Sequence, residues 1–137
     1  MQKLFDIYEQ LHNEGVKFFN WYLNETQSAT IEMKGAYAVF IDTAKIDTAA
    51  QENAIVAHEA GHIFTGTTHY IYSPFELIEQ HETRANRWAI QKLVPPDELD
   101  GVLCRGLTDN WELADYFEVP EDFMAKAIDY YKMVSGV

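Results

Sequence analysis

The run AIVAHEAGHIF, residues 54–64, sets the tightest condition on any fold this chain can adopt. It places His58, Glu59 and His62 among residues that are otherwise apolar or small, the composition of a buried helix. Two imidazoles and a carboxylate are costly to bury unless something pairs them. On a helix, residues four apart share a face, so His58 and His62 can aim at a single ion, at about the 2.0–2.1 Å of zinc–nitrogen bonds. Glu59 lies about 100° further round, where it reaches a water beside the metal without binding the metal itself. That division of labour is the one H-E-x-x-H motifs use. Gly61 is a weak helix former, and its presence points to close approach of another backbone or of the metal's surroundings.

Local signals surround this run with an α+β arrangement. Leu4, Ile7, Tyr8 and Leu11 recur at helical spacing before Gly15, which predicts an N-terminal helix ending there. VKFFNWYLN (16–24), ATIEM (29–33) and AYAVFID (36–42) are rich in β-branched and aromatic residues, and Lys34-Gly35 reads as a hairpin turn. A small sheet of about three strands is expected. Thr48 with Gln51 three residues later resembles a capping box opening the HEAGH helix, which runs to Gly66. Ser73-Pro74 opens a second long helix that continues to Val94 before Pro95-Pro96 stops it. PDELDGVLCRG, NWELADYF and PEDFMAKAIDYYKM read as three short helices, so residues 1–137 are expected to form one domain.

Charge and cysteine content narrow the partners. The formal net charge is -12, from 22 acidic against 10 basic residues, and the bases are scattered. A nucleic-acid backbone or an anionic membrane surface rewards a basic patch, so neither is the expected partner. Cys104 is the only cysteine, which excludes an intramolecular disulfide and a CxxC zinc site. MQKLFDIYEQLHNEG lacks the apolar core of a signal peptide, and no stretch approaches the ~20 apolar residues of a membrane span. Cytoplasm is the expected compartment.

A catalytic zinc keeps three protein ligands and one position for water, so a third ligand is needed. His69 lies near the metzincin spacing H-E-x-x-H-x-x-G-x-x-H, but Gly66 and His69 each arrive one residue late. Glu82, on the second long helix, is the rival, in the manner of gluzincins. Ala85, Asn86 and Ala89 keep its face small or polar, which lets the two helices approach closely.

HEAGH followed by ETRANRWAIQKLVP (82–95) resembles the ImmA/IrrE family of zinc metallopeptidases, whose pattern is HExxH, then E-x-x-A-N-x-F-A and a leucine-rich stretch ending in proline. Trp88 stands where Phe is usual, and Val94 where Met is common. ELADYFEVPEDFMAKAI is similar to the family's helix-turn-helix-like tail, here residues 107–133 packed on the domain, with Glu118 in place of a turn glycine and Pro120 in place of Ser. Its acidic residues argue against DNA binding and for packing or partner docking.

The resemblance implies a zincin-like minimal metallopeptidase, with one zinc on His58, His62 and Glu82 and with Glu59 as the general base. Glu79 and Asn86 are candidate hydrogen-bonding neighbours of the site, and His69, Tyr70 and Tyr72 candidate donors to the oxyanion. It also implies a protein substrate, a helix-turn-helix transcriptional repressor of a phage, mobile element or stress locus. A basic repressor would suit so acidic an enzyme. Two rival readings are a zinc-holding regulatory or toxin-like module without hydrolysis, and an interaction domain whose HEAGH is coincidental. Oligomeric state is not legible in the sequence.

Overall fold

The first helix stops where its sequence says it must. In this computed structural model, which describes residues 2–67 and 75–135, with side chains at all of these except 2, 33 and 75–77, α1 spans Gln2–Asn13. Gly15 takes φ +76, its N–H bonds to the His12 carbonyl, and Val16 N–H returns 3.0 Å to the Leu11 carbonyl. This is a Schellman ending, and both of its apolar members, Leu11 and Val16, are buried. Leu4, Ile7 and Leu11 supply the helix's contribution to the core.

The sheet contains β1 (Lys17–Asn20), β2 (Ser28–Met33) and β3 (Ala36–Ile41), in the order β1-β3-β2. β2 and β3 form the expected hairpin through Lys34-Gly35, both at positive φ, as a primed turn requires. β1 pairs parallel to β3, so the sheet is mixed and β2 is an edge strand. β1 is shorter than the aromatic run 16–24 suggests. The last bond to β3 runs from Trp21 N–H to the Ile41 carbonyl at 3.0 Å, and the side chains of Trp21 and Tyr22 are exposed, 62% and 74%. Asp42 secures the chain beyond this bond by accepting from the Leu23 N–H at 3.1 Å. Register places Thr30 opposite Val39 and Ser28 opposite Ile41, so both hydroxyls share the face on which Val39 and Ile41 are buried.

α2 spans Ala49–Phe64 and α3 Phe75–Leu93; the expected opening of α3 at Ser73-Pro74 lies outside the described residues. Thr48 caps α2, its hydroxyl accepting from Gln51 N–H at 3.1 Å. The return half of the expected capping box is displaced by one residue. Gln51 Oε1 accepts from Asp47 N–H rather than from Thr48 N–H. Tyr8 of α1 reaches across to donate to Glu52 of α2 at 2.8 Å, and burial together with this carboxylate pushes the phenol pKa up.

The contact between α2 and α3 is unusually close at one point. A Cβ built on Gly61 would stand 3.0 Å from Ala85 Cα and inside the van der Waals surface of the Ala85 carbonyl oxygen. Ala57, Ala60, Ala85 and Ala89 are fully buried along the same seam. The close backbone approach expected from Gly61 is therefore present, and its partner is α3.

α4 (Pro96–Cys104), α5 (Asn110–Phe117) and α6 (Glu121–Ser135) complete an α+β fold of six helices and one small mixed sheet among the described residues. Tyr131 of α6 donates to the Val94 carbonyl at 2.6 Å and Gln91 of α3 to Tyr130 at 2.8 Å, which ties α6 to the end of α3. Glu118, where a glycine was expected by resemblance, does adopt the left-handed region, φ 57, at the end of α5. Buried Asn53 of α2 donates to its carbonyl at 2.6 Å. No described helix is long and apolar enough to cross a membrane.

Gly61→Ala is expected to destabilise the fold by about 1–3 kcal/mol, as overpacking does. Helix propensity alone would favour alanine by about 1 kcal/mol. Denaturant midpoints with unchanged m-value measure which effect wins; a more stable alanine variant would show that α3 can move away freely.

Candidate metal centre

His58 and His62 stand on successive turns of α2 with their Nε2 atoms 3.2 Å apart. Each ring is oriented from behind. His62 Nδ1 lies 3.0 Å from the Thr67 carbonyl, and a carbonyl can only accept, so this nitrogen carries the proton. Thr67 is in place because Gly66, at φ +65, ends α2 in a second Schellman turn whose closing bond runs from Thr67 N–H to the His62 carbonyl. His58 Nδ1 lies 2.7 Å from Asn86 Oδ1 on α3, so it too donates. Both Nε2 lone pairs are left pointing into the same space.

Glu82 enters that space from α3, one turn before Asn86. Its Oε2 is 2.8 Å from His58 Nε2 and its Oε1 2.9 Å from His62 Nε2. The three ligating atoms all lie within 4.8 Å of one another, the one such group of three among the described residues. Two imidazole nitrogens and a carboxylate converge here on one point, an arrangement that a divalent cation would satisfy. A tetrahedral ion with bonds of ~2.0–2.1 Å separates its ligand atoms by about 3.3 Å, close to the spacing found. The residues therefore fit a divalent metal with nitrogen and oxygen ligands.

Burial disfavours charge on His58, but the hydrogen bond to Glu82 and the negative charges of Glu59 and Glu82 outweigh it, and the His58 pKa is raised. Hydrogen bonds from His58 and His62 hold the Glu82 carboxyl far below the usual carboxylate range.

Glu59 is buried, 5% exposed, and faces the same cleft of ≈490 Å³ as the three ligating side chains. Its Oε1 accepts from Thr30 Oγ1 and its Oε2 from Ser28 Oγ, each at 2.6 Å. Lys126 of α6 also lines the cleft.

Of the residues expected at the site, His58, Glu59, His62, Glu82 and Asn86 are brought together. Glu79 is not; it is exposed and lines a separate hollow with Thr83, Arg84 and Arg87. His69, Tyr70 and Tyr72 lie outside the described residues. Ser28, Thr30, Thr67 and Lys126 were not anticipated. The alternation in SATIEM carried a signal for the first two, since hydroxyl residues at period two on an inward face need a polar partner.

A helix bearing HExxH and a carboxylate from the following helix thus meet in one candidate metal site. The chain belongs to the M78 peptidase family: the family's model, described as the IrrE N-terminal-like domain, matches residues 7–129. No curated protein and no solved structure gives a significant match.

Two outcomes follow for the centre. In the metal-free protein, His58 binds its proton more tightly than an unfolded histidine of pKa 6.5. That stabilisation is complete below about pH 6.5 and is lost as pH rises through the higher folded value. The melting midpoint of metal-free protein should therefore fall from about pH 6 to about pH 8.5, and the fall should shrink in Glu82→Gln. Chelator competition should rank the variants: Asn86→Ala weakening metal binding by about 10–100-fold, as loss of a ligand's hydrogen-bonding neighbour does, and Glu82→Ala by more. His69→Ala weakening it more than Glu82→Ala would move the third ligand to His69.

Proposed function

We propose that this chain is a zinc-dependent endopeptidase whose substrate is a helix-turn-helix transcriptional repressor encoded by a phage, mobile element or stress locus. The observation that carries the reading is the pairing of two kinds of group in one cleft. His58, His62 and Glu82 converge as a ligand set, and the Glu59 carboxylate stands beside them outside that set. Three protein ligands leave a coordination position open, which a structural zinc site would have closed.

When bound there, zinc supplies a Lewis acid that polarises the scissile carbonyl and acidifies water. The rest is done by the chain. Asn86 and the Thr67 carbonyl hold the two imidazoles in the tautomer that presents bare Nε2 atoms. Glu59 accepts the proton of the attacking water and passes it to the leaving amine nitrogen, so the peptide bond is cleaved without an acyl-enzyme. The net charge of -12 favours encounter with a basic substrate through long-range steering. A repressor substrate would place the reaction in the cytoplasm.

The alternative is a zinc-holding regulatory or toxin-like module without proteolysis. One observation speaks for it: both Glu59 oxygens already have hydroxyl partners. Glu59→Gln separates the two. It preserves size and most packing while removing the base, so zinc content and melting midpoint should be nearly unchanged. Single-turnover cleavage of a repressor encoded beside this chain's gene should fall by about 10²–10⁴-fold. Undiminished cleavage by zinc-loaded Glu59→Gln would remove Glu59 from the role of base. Absence of cleavage by the wild type, with zinc bound, would favour the non-proteolytic module.

A further inference from the structure

We infer that Ser28 and Thr30 are positioning residues for Glu59, holding its carboxylate in a fixed plane through the whole proton cycle of the reaction. This inference rests on the reading of Glu59 as the general base. Both hydroxyls come from the edge strand β2, two residues apart, and the pairing with β3 turns both toward α2. Each takes a different oxygen of one carboxylate, at 2.6 Å. A carboxylate gripped at a single oxygen swings about that bond. Gripped at both, it has a defined plane and rotamer.

The chemical type of the clamp matters as much as its geometry. A general base alternates between carboxylate and carboxylic acid. Amide N–H or ammonium donors bond well to the first state and poorly to the protonated oxygen of the second. A hydroxyl can donate to a carboxylate and, after rotating its proton, accept from a carboxylic acid. When Glu59 receives the proton of the attacking water, the hydroxyl at that oxygen can turn from donor to acceptor. The proton then leaves for the amine nitrogen as the C–N bond breaks, and the hydroxyl turns back. No heavy atom of the clamp has to move.

Lysine, which has donors and no acceptor, would hold the resting state at these positions and resist the protonated one. Alanine or valine would hold neither. Glu59 itself is 5% exposed, and the two hydroxyls are the partners the structure gives its oxygens.

The experiment uses the full chain, zinc-loaded, with a cleavable repressor, and compares wild type with Thr30→Val, Thr30→Ser, Ser28→Ala and the Thr30→Val/Ser28→Ala pair. Valine matches threonine in shape and lacks only the hydroxyl. Thr30→Val should lower kcat about 10-fold with KM and zinc content unchanged, a part of the 10²–10⁴-fold a positioned base contributes. Thr30→Ser should restore kcat to within about twofold, and the double variant should lose more than either single one.

A second readout needs no activity. In zinc-free protein, Thr30→Val should lower the melting midpoint by about 5 °C when Glu59 is present, and by much less in a Glu59→Ala background, where no carboxylate remains to hold. Unchanged kcat in Thr30→Val, or an equal midpoint loss in both backgrounds, overturns the inference. A kcat loss that serine does not restore also overturns it, because shape rather than the hydroxyl would then be responsible. If the wild type cleaves nothing, the peptidase reading falls and this inference falls with it; if the wild type cleaves and Thr30→Val cleaves equally, only this inference falls.

Discussion

The centre depends on how closely α3 can lie against α2, and that distance is set at Gly61. A side chain there would meet the Ala85 backbone, and the seam on either side is built from alanines. Close-packed interiors do not absorb such a displacement locally. Were α3 to stand off by the width of a methyl group, Glu82 and Asn86 would both withdraw from the imidazoles, since both are carried on the same face of that helix. The ligand from α3 and the hydrogen bond that orients a ligand from α2 are thus one geometric quantity. In this sense the weakest helix former in α2 is the residue that allows the two helices to bring the three candidate ligands together.

Much of this is legible in the amino-acid sequence, and the legible part has a common character. The two histidines four apart, the Gly15 stop, the Lys34-Gly35 turn and the Thr48 cap are all statements about neighbours within five residues, where helix and turn geometry leave few alternatives. Glu82 requires a comparison of patterns across two helices. What the sequence does not disclose is non-local. The aromatic run after Val16 has strand propensity throughout, yet its strand ends at Asn20, because Trp21 and Tyr22 turn outward and Asp42 captures the chain instead. Propensity for a pleated surface does not say how far a neighbouring strand extends. The parallel pairing of β1 with β3, which leaves β2 at the edge, is likewise invisible to periodicity.

The same limit explains the site residues. Glu79 has helical spacing to Glu82, but a spacing of three residues also rotates a side chain by about 60° from alignment, and this places it over a different hollow. Ser28 and Thr30 visibly alternate, but nothing in the sequence says which side of β2 meets α2. Thr67 could not be identified from its side chain, because the nearer atom to His62 Nδ1 is its main-chain oxygen, at 3.0 Å against 3.4 Å for the hydroxyl.

That last detail separates the two histidines. His62 is aimed by the peptide backbone of the turn that ends its own helix, a partner present whatever residue occupies position 67. His58 is aimed by the side chain of Asn86, contributed by another helix and exposed at its surface. One imidazole is fixed by the course of the chain and the other by a single replaceable amide. The aim of the pair can therefore drift, or be adjusted, through one codon that encodes neither histidine, while half of the pair keeps its aim for as long as the helix ends where it does.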